Sequence, residues 1–255
     1  MSTDAEEPAR TLFRALPAIS EPAGAAIASS ATEVDALLKA AMERVQGSPI
    51  VEEQMGYYAE HVQVSDDPAW RFECKKQLLA ALLRESRDLP LPDDLLPLFM
   101  HVAVYEADPS FNRSFIDPCL RAYSPRQVQE ALLGYLATGT NREKAGAARA
   151  FYWAQRSLPA WQRQDRAAED HHDEDLADLR TIIAATMLQE FVANEDLDVR
   201  RSLVGRLSFE PSQYPDHWKP LIATVIAIAR DHPDGYIRHR IEIQIRPGGA
   251  PERSA

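Results

Sequence analysis

The sequence predicts an all-α fold in which pairs of helices stack side by side: an α-α superhelix, or α-solenoid, of about four to five pairs behind a disordered N-terminal arm. Two stretches near the C-terminus match each other 38 residues apart, glycine is scarce at 10 of 255 residues, and no strand–turn–strand pattern is present. A period of roughly 30 to 50 residues made of two amphipathic segments is typical of solenoids. One helix pair cannot cover its own apolar faces, and stacking on the next pair does so.

The repeat is clearest around two pentapeptides, DLDVR at 196–200 and DGYIR at 234–238. In each of them we expect the leading aspartate to cap a helix, because its carboxylate can accept from the free N–H groups of the first turn. The aspartate and the arginine four residues later can also meet on the helix surface. The apolar positions keep the same spacing: Ile183, Ala184, Met187, Leu188, Val199, Leu203 and Leu207 correspond to Leu221, Ile222, Val225, Ile226, Ile237, Ile241 and Ile245.

The last repeat is predicted to contain a first helix over about 216–230 and a second helix from about Gly235. The second helix is predicted to place Ile237, Ile241 and Ile245 on one face, since residues four apart are neighbours on a helix. Residues 240–245, RIEIQI, alternate in polarity and would also fit a β-strand. The match to the preceding repeat favours the helix.

Upstream, the helix-pair pattern is looser. Apolar residues over 128–136 indicate a first helix, and 142–155 would be the second, 55 residues before the next pair. This distance exceeds the 38-residue period by 17 residues, about the length of an acidic insert at 157–175.

Two further pairs are predicted towards the N-terminus. In the nearer one Pro118 is expected to break the second helix, because proline lacks the N–H and clashes with the preceding turn. In the farther one Pro68 suits the first position of a helix. The predicted segments are 96–104, 110–116 and 118–123 for the nearer pair, and 49–64 and 68–87 for the farther one.

The D-x-x-[V/I]-R pattern at 196–200 and 234–238 resembles the start of the second helix in HEAT repeats, including HEAT-like repeats of the PBS-lyase type. The resemblance is specific over 176–246. It implies an α-solenoid whose second helices line the concave side and hold another macromolecule there. It also implies an alternative, structural role for Arg200 and Arg238, which occupy the position where arginine pairs with the aspartate ladder.

Basic residues of the predicted second helices are therefore candidates for contact with a protein partner. Together with a tryptophan in the insert, which could be an exposed anchor, they form the predicted partner-binding set. The set consists of Arg149, Arg201, Arg206, Arg240 and Trp161. A basic groove could also hold nucleic acid, in a layout similar to that of HEAT-like DNA glycosylases. The net charge of −11 argues against this, because phosphate contacts need a positive surface.

The insert contains the one dense cluster of metal-type ligands, EDHHDED at 169–175. His171, His172 and Asp173 could bind a transition metal or act as acid and base in a metal-dependent hydrolase. The bland interpretation is a solvated acidic loop, since one short segment has no rigid geometry to hold a metal. A partner-contact loop is the third alternative.

The composition also indicates how the chain is divided into segments and in which cellular compartment we expect it. The chain divides into a disordered arm at 1–30, N-terminal helices at 31–88 that could belong to the solenoid, helical repeats at 89–246, and a tail at 247–255. An acidic N-terminus without an apolar core does not predict a signal peptide, and the longest apolar stretch is too short to span a membrane. Cys74 and Cys119 are expected to be buried free thiols of a reducing cytosol. Only five of the 28 basic residues are lysine, which favours a GC-rich bacterial source.

The leading hypothesis is therefore a cytoplasmic bacterial HEAT-like solenoid that binds a protein, uses no cofactor and catalyses nothing. The motifs of serine hydrolases, P-loop NTPases, zinc proteases and EF-hands are absent. Neither end has an obviously polar capping repeat, so a homodimer through an uncovered end repeat is a further expectation.

Overall fold

A computed structural model of the protein describes residues 28–44, 68–85, 91–106, 108–155, 176–210 and 214–245. Within these ranges the regular structure is entirely helical, with ten α-helices, two 3₁₀ turns and no strand, so the all-α prediction is confirmed there. The helices are α1 (Ala28–Arg44), α2 (Pro68–Glu85), α3 (Leu96–Tyr105), α4 (Arg113–Ala122), α5 (Pro125–Thr138), α6 (Asn141–Ala154), α7 (Ala177–Ala193), α8 (Leu197–Val204), α9 (Lys219–Arg230) and α10 (Gly235–Gln244). The 3₁₀ turns are Asp93–Leu95 and Asp216–Trp218.

Several predicted segments lie outside the described residues. They are the arm up to residue 27, the helix at 49–64, the insert at 157–175 with Trp161, His171, His172 and Asp173, and the tail at 247–255. Helix α1 begins at Ala28, inside the last three residues assigned to the arm.

The described helices fall into two compact units. The N-terminal unit contains α1–α4, α5 up to Leu132 and α6 from Ala150. The C-terminal unit contains α5 from Leu133, α6 up to Arg149, and α7–α10.

In the N-terminal unit α1 packs against α2 and α3, and α4 packs against α2 and α3. Fully buried side chains such as Leu37, Leu79, Phe99 and Phe115 form its core. The core also contains an ion pair between Lys76 and Glu106, 2.5 Å apart and both buried. Because each charge would be costly to bury alone, the two side chains stabilise one another's position.

Helix α4 contradicts the prediction that Pro118 breaks it. The helix runs without interruption over Arg113–Ala122 with Pro118 inside it and buried. A proline in a helix interior costs about 3 kcal/mol. The same helix fully buries Phe115, Ile116 and Cys119, and each large apolar side chain contributes about 1.5–3 kcal/mol when buried. Packing therefore outweighs the lost hydrogen bond.

In the C-terminal unit α7 pairs with α8 and α9 pairs with α10; in addition α7 packs on α9, and α8 packs on α10. The first helices thus contact first helices, and the second helices contact second helices. The first helix predicted over about 216–230 corresponds to the 3₁₀ turn Asp216–Trp218 followed by α9, and α10 begins at Gly235 as predicted. The helical interpretation of 240–245 is confirmed up to Gln244, whereas Ile245 lies just past the helix end and is half-buried. Ile237 and Ile241 are fully buried, whereas Ile243 is exposed, so the alternating sequence follows a helical rather than a strand pattern of burial.

The predicted aspartate caps are also confirmed. The Asp196 carboxylate accepts from the backbone N–H groups of Asp198 and Val199, both at 3.0 Å, and starts α8. The Asp234 carboxylate accepts from the N–H of Ile237 at 3.1 Å and starts α10. These bonds satisfy N–H groups that have no partner inside the helix.

Candidate functional site

The predicted partner-binding arginines that the structure describes all belong to the C-terminal unit. Arg149 is on α6, Arg201 on α8 and Arg240 on α10, whereas Arg206 follows the end of α8. These elements are the second helices of the predicted pairs. Three of the four side chains thus lie on the predicted second helices, and Arg206 lies two residues past the end of one of them.

Arg149 connects α6 to α8. Its Nη1 donates to the Asp198 carboxylate at 3.1 Å and to the Ser202 hydroxyl at 3.2 Å. On the neighbouring turn of α6, Lys144 pairs with Glu190 of α7 at 2.7 Å. Arg149 thus has acceptors from its own chain.

Arg201 makes the corresponding connection from α8 to α10. Its guanidinium pairs with the Asp234 carboxylate, which is the cap of α10. The hydrogen bond from Arg201 holds the pKa of Asp234 below its usual value, and the same bond raises the pKa of Arg201. We call Arg149, Asp198, Arg201 and Asp234 the Arg–Asp ladder, because acid and base alternate across three successive second helices.

The arginines of the two pentapeptides do not bind the aspartate four residues before them. Arg200 Nε donates to the carbonyl of Phe191 at 3.2 Å, and Arg238 Nη1 donates to the carbonyls of His232 and Pro233. The aspartates are occupied as helix caps. These arginines instead satisfy carbonyls that a helix end or a turn leaves without a partner.

Arg240 differs from Arg149 and Arg201 because no carboxylate of the described residues pairs with its guanidinium. Its Nε is buried without a hydrogen-bond partner; the Nε of Arg149 is too, but Arg149 Nη1 has Asp198 and Ser202 as acceptors. The guanidinium lies beside Gly205, at the end of α8: a Cβ added at Gly205 would be 3.5 Å from Arg240 Nη2 and 3.9 Å from the Tyr236 hydroxyl. We call Gly205, Tyr236 and Arg240 the Arg240 niche. Arg206, in contrast, is half-buried and has an interaction of its own.

Exposed apolar side chains follow the same helices. In the C-terminal unit the large ones among the described residues are Leu197 on α8 (43% exposed), and Tyr236 (48%) and Ile243 (37%) on α10; Tyr152 on α6 (37%) belongs to the N-terminal unit. The exposed residues of the first helix α9 include no large aliphatic or aromatic side chain: they are Lys219, Pro220, Ala223, Thr224, Ala227 and Arg230. In the C-terminal unit the large exposed apolar side chains therefore lie on α8 and α10.

The sequence argument missed Tyr236, Ile243 and Gly205. Tyr236, Arg240 and Ile243 are spaced i, i+4 and i+7, which places them on one helix face next to the buried face of Ile237 and Ile241. That spacing was readable in the sequence. The proximity of Gly205 was not, because it depends on how α8 packs against α10.

The described residues contain no group of three or more histidine, cysteine or acidic side chains arranged to hold a metal ion. The predicted metal set, His171, His172 and Asp173, lies in the insert that the structure does not describe. In the helices that are described, none is long and apolar enough to cross a membrane.

The described residues define an all-α protein in which the Arg–Asp ladder connects α6, α8 and α10. Comparison of the chain with protein-family models, with curated proteins and with solved structures gives no match. The resemblance to HEAT repeats therefore depends on the two pentapeptides and their apolar spacing alone.

Proposed function

We propose that the protein is a non-catalytic binding module, a HEAT-like α-solenoid that holds a partner protein against its second helices. One observation carries the proposal: in the C-terminal unit the large exposed apolar side chains of the described residues, Leu197, Tyr236 and Ile243, all lie on the second helices α8 and α10. Exposed apolar groups that cluster beside polar residues are typical of protein-binding surfaces.

The packing of the C-terminal unit supports a solenoid. First helices contact first helices and second helices contact second helices, which is the layering that stacked helix pairs adopt. The Arg–Asp ladder links three second helices in turn, so each step of the stack is connected by the same chemistry.

The residue types favour a protein as the partner. Tyrosine and arginine are enriched at the centres of protein interfaces, where their flat side chains combine apolar area with hydrogen bonding. Helices α8 and α10 together contain four arginines and two acids, although the whole chain has a net charge of −11. The proposal includes a bacterial cytoplasmic location, which the lysine-poor composition and the free thiols of Cys74 and Cys119 support.

The test is capture of partner proteins by immobilised full-length protein, with quantitative mass spectrometry of what is retained. The variant Leu197→Ser with Ile243→Ser removes two apolar side chains of the second helices. We expect the retained partner to fall at least fivefold, since truncating a side chain that contributes to an interface costs about 1 kcal/mol or more.

The matched control is Ala223→Ser with Ala227→Ser, two exposed residues of the first helix α9. It should retain the partner as the wild type does, and both variants should keep the wild-type circular dichroism. Equal recovery with all three proteins, or the absence of any protein retained in stoichiometric amount, would refute the proposed function.

A further inference from the structure

We infer that the Arg240 niche takes the carboxylate of an aspartate or glutamate side chain from an acidic segment of the partner protein. The inference rests on the proposed function and names the chemistry that the second helices recognise. It assigns Arg240 as the anchor, with Tyr236 and Ile243 as its neighbours on the same helix face.

The first argument is the guanidinium without a carboxylate. An arginine carries five N–H donors and stays charged, so a half-buried guanidinium without an internal carboxylate favours an acceptor from a bound molecule. Arg149 and Arg201 find carboxylates at Asp198 and Asp234, whereas Arg240 finds none in the described residues. The missing acceptor is then available from a bound molecule.

The second argument comes from the repeat. Positions 198 and 202 of α8 hold the aspartate and serine that receive Arg149. The positions 38 residues later, in α10, are Tyr236 and Arg240. An acceptor pair has been replaced by a pair rich in donors, and the facing residue is Gly205, which has no side chain to fill the space.

The third argument concerns the chemistry of the partner group. A planar guanidinium matches a carboxylate through two parallel hydrogen bonds, and the Tyr236 hydroxyl can donate a third. Exposed Ile243 and Tyr236 offer apolar contact to the residues on either side of that acid. Charge and shape together fit an extended acidic peptide with apolar residues between its acids.

The probe is a fluorescein-labelled peptide of alternating glutamate and leucine, titrated with the full-length protein by fluorescence anisotropy at 0.15 M salt. Three matched peptides carry glutamine, lysine or phosphoserine in place of glutamate. We expect saturable binding of the glutamate peptide and at least tenfold weaker binding of the glutamine and lysine peptides.

Two protein variants locate the binding at the niche. Arg240→Gln should weaken the glutamate peptide at least tenfold while the melting temperature stays within a few degrees, because Arg240 has no partner in the described residues to lose. Gly205→Asp should weaken binding of the glutamate peptide to a similar extent, because the new carboxylate lies within reach of Arg240 and competes with the peptide for it. The isosteric Gly205→Asn fills the same space without the charge and should retain binding within about threefold.

A readout without any peptide tests the geometry itself. The melting temperature of Gly205→Asp should exceed that of Gly205→Asn, and this difference should disappear when Arg240→Gln is added. If Gly205→Asp and Gly205→Asn have equal melting temperatures in the protein that keeps Arg240, the guanidinium does not lie beside Gly205.

The inference is also overturned if the glutamate peptide does not bind saturably, if the glutamine peptide binds as tightly, or if Arg240→Gln binds as the wild type does. Phosphoserine binding ten times tighter than glutamate would reassign the niche to a phosphate. If Leu197→Ser with Ile243→Ser loses the captured partner and Arg240→Gln retains it, only this inference fails. If neither variant changes the captured proteins, the proposed function fails.

Discussion

His232 closes the turn between α9 and α10, and its environment favours the neutral imidazole. The side chain is 7% exposed, and its Nδ1 accepts from the backbone N–H of Asp234 at 3.0 Å. Burial lowers the pKa of His232, and the nearby positive charges of Arg200, Arg238 and Arg201 lower it further, whereas Asp234 opposes them. A proton on Nδ1 would remove the acceptor that holds this turn.

The consequence is a pH-dependent stability. Because the folded pKa is below the unfolded value of 6.5, the unfolded chain binds more protons, and stability rises with pH. The contribution of His232 is complete above that value and is lost as pH falls below it. Between pH 7.5 and 5.5 we expect the melting temperature of the wild type to fall by roughly 2 °C more than that of His232→Asn, measured by calorimetry. Asparagine retains an acceptor and does not titrate, so equal decreases in the two proteins would contradict this role.

At the scale of elements, the junction of α5 and α6 shows how a short connection is fixed. Thr140 and Glu143 form a reciprocal cap at the start of α6: the Glu143 carboxylate accepts from the Thr140 N–H at 2.7 Å, and the Thr140 hydroxyl accepts from the Glu143 N–H. Gly139 precedes them, and a Cβ there would lie 2.4 Å from the carbonyl oxygen of Tyr135 and 2.8 Å from Glu143 Cβ. The turn therefore has room for glycine and for no larger residue.

Gly139→Ala should accordingly destabilise the protein by about 1–3 kcal/mol, because the backbone carbonyl and the cap must move apart. Urea unfolding followed by circular dichroism measures this difference. Gly205→Ala is the matched control. Gly205 ends α8, and a Cβ there would be 3.5 Å from its nearest neighbour, so we expect the free energy of unfolding to change by no more than about 0.5 kcal/mol. Similar values for the two variants would show that Gly139 is not constrained in this way.

At the scale of the whole molecule, the proposed solenoid differs from a single-core protein in how far a destabilising substitution lowers the stability of other helices. In a stack of helix pairs each pair depends on its nearest neighbours, so stability is a sum of local terms. The last pair, α9 and α10, contacts α7 and α8 within its unit. A lesion in α10 should therefore be felt most strongly by the last pair.

Ile241→Ala tests this. Ile241 is fully buried, and its truncation should cost about 2–5 kcal/mol of local stability. Hydrogen exchange read by mass spectrometry should accelerate most in α9 and α10, less in α7 and α8, and least in the N-terminal unit. Uniform acceleration in all the described helices would argue for one cooperative core and against the nearest-neighbour organisation.

Local patterns predicted the helices and caps because both depend on residues three or four positions apart. Asp196 and Asp234 were identifiable as caps, and Ile237 and Ile241 as core, from spacing alone. The prediction that Pro118 breaks a helix was wrong because the energetic cost of a proline is local, whereas the burial of α4 that offsets this cost comes from contacts with other helices. The Arg149–Asp198 pair spans 49 residues and follows from packing, which no local spacing reveals.

The burial of Cys119 has a consequence for experiments in solution. Its thiol is inaccessible in α4, and burial raises the pKa of Cys119 well above its usual value, so the reactive thiolate is scarce in the folded protein. Alkylating reagents then reach this sulfur only in molecules that have opened around α4. In the variant Cys74→Ser, which removes the other thiol of the sequence, the rate of alkylation of Cys119 measures how often the N-terminal unit opens around α4.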